Sequence, residues 1–232
     1  MASGQLIILP TPLHDDDPFI WNSETQKLIH NTKIFITENE KQARRHLKRI
    51  NKNMQDMEIR IMNQNTSPEQ YYSYLNECKT GSDIILMSDC GCPGIADPGA
   101  EVVAMAHALL IPVKPIVGPS SITLMLMASG LNGQRFMFHG YLPIPIAERN
   151  KKIKELESKS RIDNCTQLFI ETPYRNTQLM NALTKVCRED TRLCVASNIN
   201  TPEQFIYTKT IADWRRKKID IHRKPTIFAI LL

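Results

Sequence analysis

The 232-residue sequence has no apolar run long enough to cross a bilayer, so no membrane-spanning helix is expected. Its first residues, "MASGQLIILPTP", lack a basic n-region and an adequate hydrophobic region, so no secretory leader is expected. The six cysteines (Cys78, Cys90, Cys92, Cys165, Cys187, Cys194) are therefore read as reduced thiols in a cytoplasmic protein. Cys90 and Cys92 form C-x-C, but no second Cys/His pair at zinc spacing accompanies them, and no metal is expected. Internal repeats and low-complexity tracts are absent. A large excess of one sign of charge is missing too: a net +5 permits an anionic partner without demanding one.

What is present is a regular alternation. Hydrophobic residues make up 42%, enough for a real core. Short β-rich runs ("QLIIL", "KIFITE", "EIRIM", "DIILMS", "VKPIVG", "RFMFHGY") are separated by helical patterns. Ser23 reads as an N-cap, and Ser67-Pro68 and Gly81 read as helix start and stop signals. The alternation predicts an α/β fold whose first domain has a mostly parallel sheet covered by helices on both faces. Prolines at 143 and 145 precede a charged helical stretch, which places a linker at Leu142–Ile146. The expected domains are thus residues 1–142 and 147–232. The second is smaller and mixed, because "RLCVASN" and "QFIYTKT" have no helix between them.

Two loops carry the chemistry. "SDCGCPGIADPG" (88–99) follows one strand and opens a helix; "IVGPSSIT" (116–123) does the same after the next. Open parallel sheets bind ligands at the carboxyl edge of their strands. Gly91, Gly94 and Gly99 let backbone approach a ligand or take positive φ, while Pro93 and Pro98 stiffen the loop. Taken alone, the first loop reads equally well as a tight strand-to-helix turn, and the second reads better as an ordinary capped helix; two such loops at successive strand ends favour a ligand.

These segments, with "RFMFHGYLP" and "LFIETPYR", resemble the tetrapyrrole methylase superfamily, the class III methyltransferases. The resemblance is nearest to the branch that methylates a cytidine ribose 2′-oxygen of small-subunit ribosomal RNA. It implies two α/β domains with S-adenosylmethionine in the cleft between them, and a homodimer. By position it assigns the cofactor to Pro10, Cys90, Gly91, Cys92, Ile95, Ser121 and Ile122, with Glu171, Ile199 and Thr226 from the second domain. The substrate half departs from the branch. "TENEKQAR" keeps Glu38 but lacks the following Asp and the Arg, and "ASNINTPEQ" lacks the Arg, Glu and Lys of A-R-E-L-T-K.

Two basic stretches point toward nucleic acid. "KQARRHLKR" carries Arg44, Arg45, Lys48 and Arg49, read as phosphate contacts, and "WRRKKIDIHRK" adds six more cations. Glu38, Asp89, Asp97 and Glu171 are the acidic residues near strand ends; the sequence singles out none as a base. The expected activity is methyl transfer to ribosomal RNA. The alternatives are a tetrapyrrole or other small acceptor, or a non-catalytic relative that binds cofactor or RNA.

Overall fold

The computed structural model describes residues 4–55 and 57–232, and the chain divides into two compact units, Met1–Ser120 and Ser121–Leu232. The first contains, in order, β1 (Leu6–Leu9), α1 (Ser23–Asn31), β2 (Ile34–Thr37), α2 (Glu40–Lys48), β3 (Glu58–Ile61), α3 (Pro68–Tyr74), β4 (Ile84–Met87), α4 (Gly99–Ala108) and β5 (Val113–Pro115). Its five strands are all parallel, in the order β3-β2-β4-β1-β5.

Strand periodicity explains the covering of both faces. Successive side chains alternate, so a sheet buried on both sides reads as an unbroken apolar run. Leu6, Ile34, Ile36, Ile84 and Leu86 pack with Tyr71, Leu75, Val102 and Ala106, from α3, α4 and the residue that ends α3. The alternate residues, Ile7, Leu9, Phe35, Ile85 and Met87, pack with Ile29 of α1 and Ala43 and Leu47 of α2. The helix signals act as expected at α3, where Ser67 and Gln70 form a reciprocal capping box behind Pro68. A 3₁₀ turn (Asn76–Thr80) then ends on Gly81 at φ 97°. At α1 the cap is Asn22 rather than Ser23. Its side-chain oxygen accepts from the Thr25 amide, leaving Ser23 as the first helical residue.

The second unit runs α5 (Ser121–Ser129), β6 (Phe136–Tyr141), α6 (Ile146–Asp163), β7 (Thr166–Ile170), α7 (Asn176–Val186), β8 (Arg192–Ser197), β9 (Phe205–Thr210), α8 (Ile211–Arg215) and β10 (Thr226–Leu231). Its sheet is mixed, in the order β6-β7-β10-β8-β9. Only β6 and β7 are parallel, joined by the crossover helix α6. β8 and β9 pair antiparallel, as their helix-free connection requires.

The sequence pattern ends the first domain at residue 142, whereas the units divide at Ser120/Ser121. The cause is β6: Phe136 to Phe138 pair with Thr166 to Leu168, so the strand extends the second sheet. Pro143 and Pro145 lie in the β6–α6 connection, Pro145 being the residue before the helix, a position that tolerates its missing amide. The core of this unit packs α6, α7 and α8 against Phe169, Val195 and Phe228. Trp214 is 2% exposed and donates from Nε1 to the Leu193 carbonyl at 2.8 Å. It anchors α8 and is closed to base stacking.

Candidate functional site

β1 and β4 are neighbours, yet the chain leaves β1 toward α1 on one face and β4 toward α4 on the other. Connections that diverge from adjacent strands open a crevice at the carboxyl edge. The loops that border it are stitched together. Thr11 and Gly91 form an antiparallel bridge, with the Thr11 amide donating to Gly91 O at 2.9 Å and the Gly91 amide to Thr11 O at 3.1 Å. Ser88 Oγ also donates to Gly91 O, at 2.8 Å, and Thr11 Oγ1 to the Ser88 carbonyl. Cys92 Sγ donates to the Pro119 carbonyl, which ties in the loop after β5. Trp21 Nε1 fixes Pro10 through its carbonyl at 2.8 Å.

Two glycines make this possible. Gly91 has φ 74°, a conformation that side chains disfavour. Gly118 lies against Pro10, where a Cβ would meet the proline Cβ at 2.4 Å. The main-chain groups of Gly91 are spent on Thr11, so Gly91 contributes a bare Cα. Beside it, the Cys90 backbone makes no hydrogen bond among the described residues, and the Cys90 and Ile95 side chains are exposed. Of the sequence-predicted residues, Pro10, Cys90, Gly91, Cys92 and Ile95 therefore meet at one edge.

Carboxylates gather at the same edge. Glu38 follows β2 and Asp89 follows β4, its sheet neighbour. Burial, then the charges of Asp97 and Asp89, push the Glu38 pKa up to about 7. Burial also raises Asp89, one of whose oxygens is sealed without a hydrogen-bond partner. Asp97 is a loop brace, with Oδ1 accepting from the Gly94 amide at 2.7 Å and the Gly99 amide at 2.8 Å. His46, on the inner face of α2, donates from Nε2 to the Asp89 carbonyl at 2.9 Å, since a carbonyl can only accept. Burial holds its pKa below the ordinary value.

In the second unit, register places Glu171, Thr226 and Ile199 along one sheet edge. Ile170 pairs with Ile227, and Thr226 pairs with Ser197. Glu171 Oε1 accepts from the Thr172 amide and from Arg175 Nε and Nη2 at 2.7, 2.9 and 2.6 Å, while Oε2 is buried without a partner. Thr226 Oγ1 donates to the Lys224 carbonyl at 2.9 Å. Ile199 is buried. Ser121 and Ile122 open α5.

The basic helix α2 is less free than its sequence implies. Arg44 pairs with Glu40, Arg45 with Asp15, and Arg49 donates to the Asp17 carbonyl. Lys48 is exposed. Asp17, in the loop between β1 and α1, braces that loop: its two oxygens accept from the Leu13 and Phe19 amides. Among the described residues no cluster of three metal-ligating side chains occurs. Sequence reasoning missed Thr11, Ser88, His46 and Gly118. Only the placement of Thr11 between two prolines hinted at a fixed loop; the others reveal their partners only in three dimensions.

No family model matches the chain. It is 29% identical over 234 residues to a ribosomal RNA small subunit methyltransferase I of Buchnera aphidicola subsp. Schizaphis graminum, covering 99% of this chain and 78% of the relative. Among solved structures it resembles the methyltransferase CobJ, with a TM-score of 0.64 at 14% identity over 99% of this chain and 94% of that one. It also resembles a uroporphyrin-III C-methyltransferase from Thermus thermophilus complexed with S-adenosyl homocysteine, with a TM-score of 0.54 at 13% identity over 98% and 97%. The chain is thus similar along nearly its whole length to ribosomal RNA small subunit methyltransferase I proteins, and it shares its fold with these methyltransferases of known structure.

Proposed function

We propose that the protein transfers a methyl group from S-adenosylmethionine to small-subunit ribosomal RNA, at a ribose 2′-oxygen. The observation that carries the reading is the near full-length similarity to ribosomal RNA small subunit methyltransferase I. The stitched loops at the carboxyl edge of the first sheet support it.

The residues present fit the cofactor. A sulfonium nucleoside suits a site of bare backbone and small or apolar side chains, which Gly91, Cys90, Cys92 and Ile95 provide. When bound, S-adenosylmethionine supplies the activated methyl group. The chain's own residues have two tasks. The loops hold the crevice in one shape, so that positioning contributes to rate. An acceptor hydroxyl must also lose a proton, and a carboxylate with a pKa near 7 is suited to take it; Glu38 has that value at this edge. In the second unit, Ser121 and Ile122 on α5, and Glu171, Ile199 and Thr226 at one edge of its sheet, are the residues proposed for the cofactor. Arg44, Arg45, Lys48 and Arg49 present cations to RNA phosphates. The protein works in the cytoplasm as a homodimer in this reading; no described helix is long and apolar enough to cross a membrane.

The deciding experiment measures labelled methyl transfer to undermethylated small ribosomal subunits and, in parallel, to uroporphyrinogen. Label in the RNA is expected. Label in the tetrapyrrole alone moves the protein to a small-molecule methylase. Cofactor binding with transfer to neither acceptor makes it a binding module.

A further inference from the structure

Arg149, the fourth residue of α6, is 5% exposed, yet its guanidinium has no hydrogen bond or ion pair among the described residues. Its Nε is sealed from solvent without a partner. An arginine does not shed its proton at any physiological pH. A buried cation without a counter-charge is costly, and folds usually supply an acid for it. Here no acid is paired with it among the described residues, and Glu171, at the end of β7, is already held by Arg175. The missing anion must come from outside.

The surroundings suit one. Cα–Cβ bonds in a helix tilt toward its N-terminus, so Arg149 leans back over the first turn of α6. The Arg149 amide makes the first intrahelical bond, to Pro145 O at 2.9 Å, which leaves the amides of Ile146, Ala147 and Glu148 without helix carbonyls. Pro145 offers no side-chain cap. Those amides and the helix dipole favour an anion at this end of an 18-residue helix. The same sheet edge carries Glu171 and Thr226, because Tyr141 at the end of β6 pairs with Ile170. Beyond Arg149 come Lys151, Lys152 and Lys154; Lys151 and Lys154 are exposed, and Lys152 is paired with Glu155. Glu148 is the opposing acid in the first turn. A run of cations of which, among the described residues, only Lys152 is paired matches a chain of phosphates better than a single carboxylate.

We infer that Arg149 and the open first turn of α6 receive a phosphodiester of the substrate RNA, an inference that rests on the RNA reading above. The test compares wild type with R149M and R149K. Binding of a labelled single-stranded RNA oligonucleotide is measured across a salt series, cofactor-product binding by calorimetry, and thermal stability by melting. R149M is expected to weaken RNA binding by about tenfold and to flatten the salt slope by about one unit. It should leave S-adenosylhomocysteine affinity unchanged and the melting temperature unchanged or higher, because it removes an unpaired buried charge. R149K should keep the charge but lose the fork, and fall between.

Equal RNA binding by wild type and R149M overturns the inference. So does an R149M that loses cofactor affinity alone, which would make the site one for the cofactor carboxylate. A melting temperature lowered by several degrees, or failure to fold, makes the guanidinium structural and also overturns it. If wild type itself binds no RNA, the RNA reading falls and this inference with it, so the two failures are distinguishable.

Discussion

Thr11 and Gly91 exchange both of their backbone hydrogen bonds, joining the loop after β1 to the loop after β4. The bridge crosses the place where the first sheet's connections diverge, so it sets the width of the crevice. It also consumes the polar groups of Gly91, which makes the missing side chain the feature of that residue that a ligand can use.

Gly91→Val tests this. A side chain at φ 74° is strained, and a Cβ there would lie 3.3 Å from Leu13 Cδ2. The expected cost in stability is about 2 kcal/mol, within reach of a folded protein. S-adenosylhomocysteine binding should fall below detection in calorimetry while a urea melt still shows a cooperative transition. Unchanged affinity would remove the loop from the cofactor site.

Gly118→Ala addresses packing. The added methyl would overlap the Pro10 ring, with contacts of 2.4 and 2.9 Å to its Cβ and Cγ. Overpacking of this kind costs about 1–3 kcal/mol. Gly133→Ala, where a Cβ meets nothing within 4 Å, is the control and should be near neutral. Equal melting temperatures for the two variants would show that the Pro10 contact is relaxed cheaply.

The legible and illegible parts of this molecule differ in kind. Local signals are readable: the apolar runs of β1, β2 and β4, the Ser67-Pro68 start of α3, and the glycine-proline loops. Partners distant in the chain are not. Phe136 to Tyr141 has the look of a strand, but nothing local says that it pairs with Thr166 to Ile170, and so the division between the units falls elsewhere than the prolines suggest. Similarly, "KQARRHLKR" reads as a row of free cations. Asp15, Asp17 and Glu40 neutralise or engage much of it, and His46 turns inward to Asp89. Spatial pairing of charges is a tertiary property that composition does not carry.

Self-association is expected from apolar exposure. Phe136 and Met137 on the edge strand β6, Tyr141 at its end, and Ile144 beyond it are 45–62% exposed. Exposed apolar side chains concentrated on one strand and its following loop are a common mark of an interface. Light scattering at micromolar protein should give about twice the 26.5 kDa chain mass. Met137→Glu on the unpaired edge should shift the population toward monomer. A monomeric wild type under these conditions would remove the homodimer.

Glu38 makes a prediction about pH whose sign is fixed. Its folded-state pKa of about 7 lies above the ordinary 4.5, chiefly through burial and then through Asp97 and Asp89. The folded protein therefore binds this proton more tightly than the unfolded chain does. The stabilising contribution is fully present below about pH 4.5 and is lost as pH rises through 7. A glutamine side chain carries no charge at any of these values, so Glu38→Gln should melt close to wild type at pH 5 and above it at pH 8. A difference that is the same at both pH values would show that Glu38 ionises normally. Turnover should move the other way. If the Glu38 carboxylate accepts the proton of the acceptor hydroxyl, wild-type activity rises through pH 7 as the group ionises. The glutamine variant should lose most activity and that rise, while keeping its affinity for S-adenosylhomocysteine. A variant more stable at pH 8 yet still active, with the wild-type pH profile, would leave Glu38 a strained neighbour of the site and not its base.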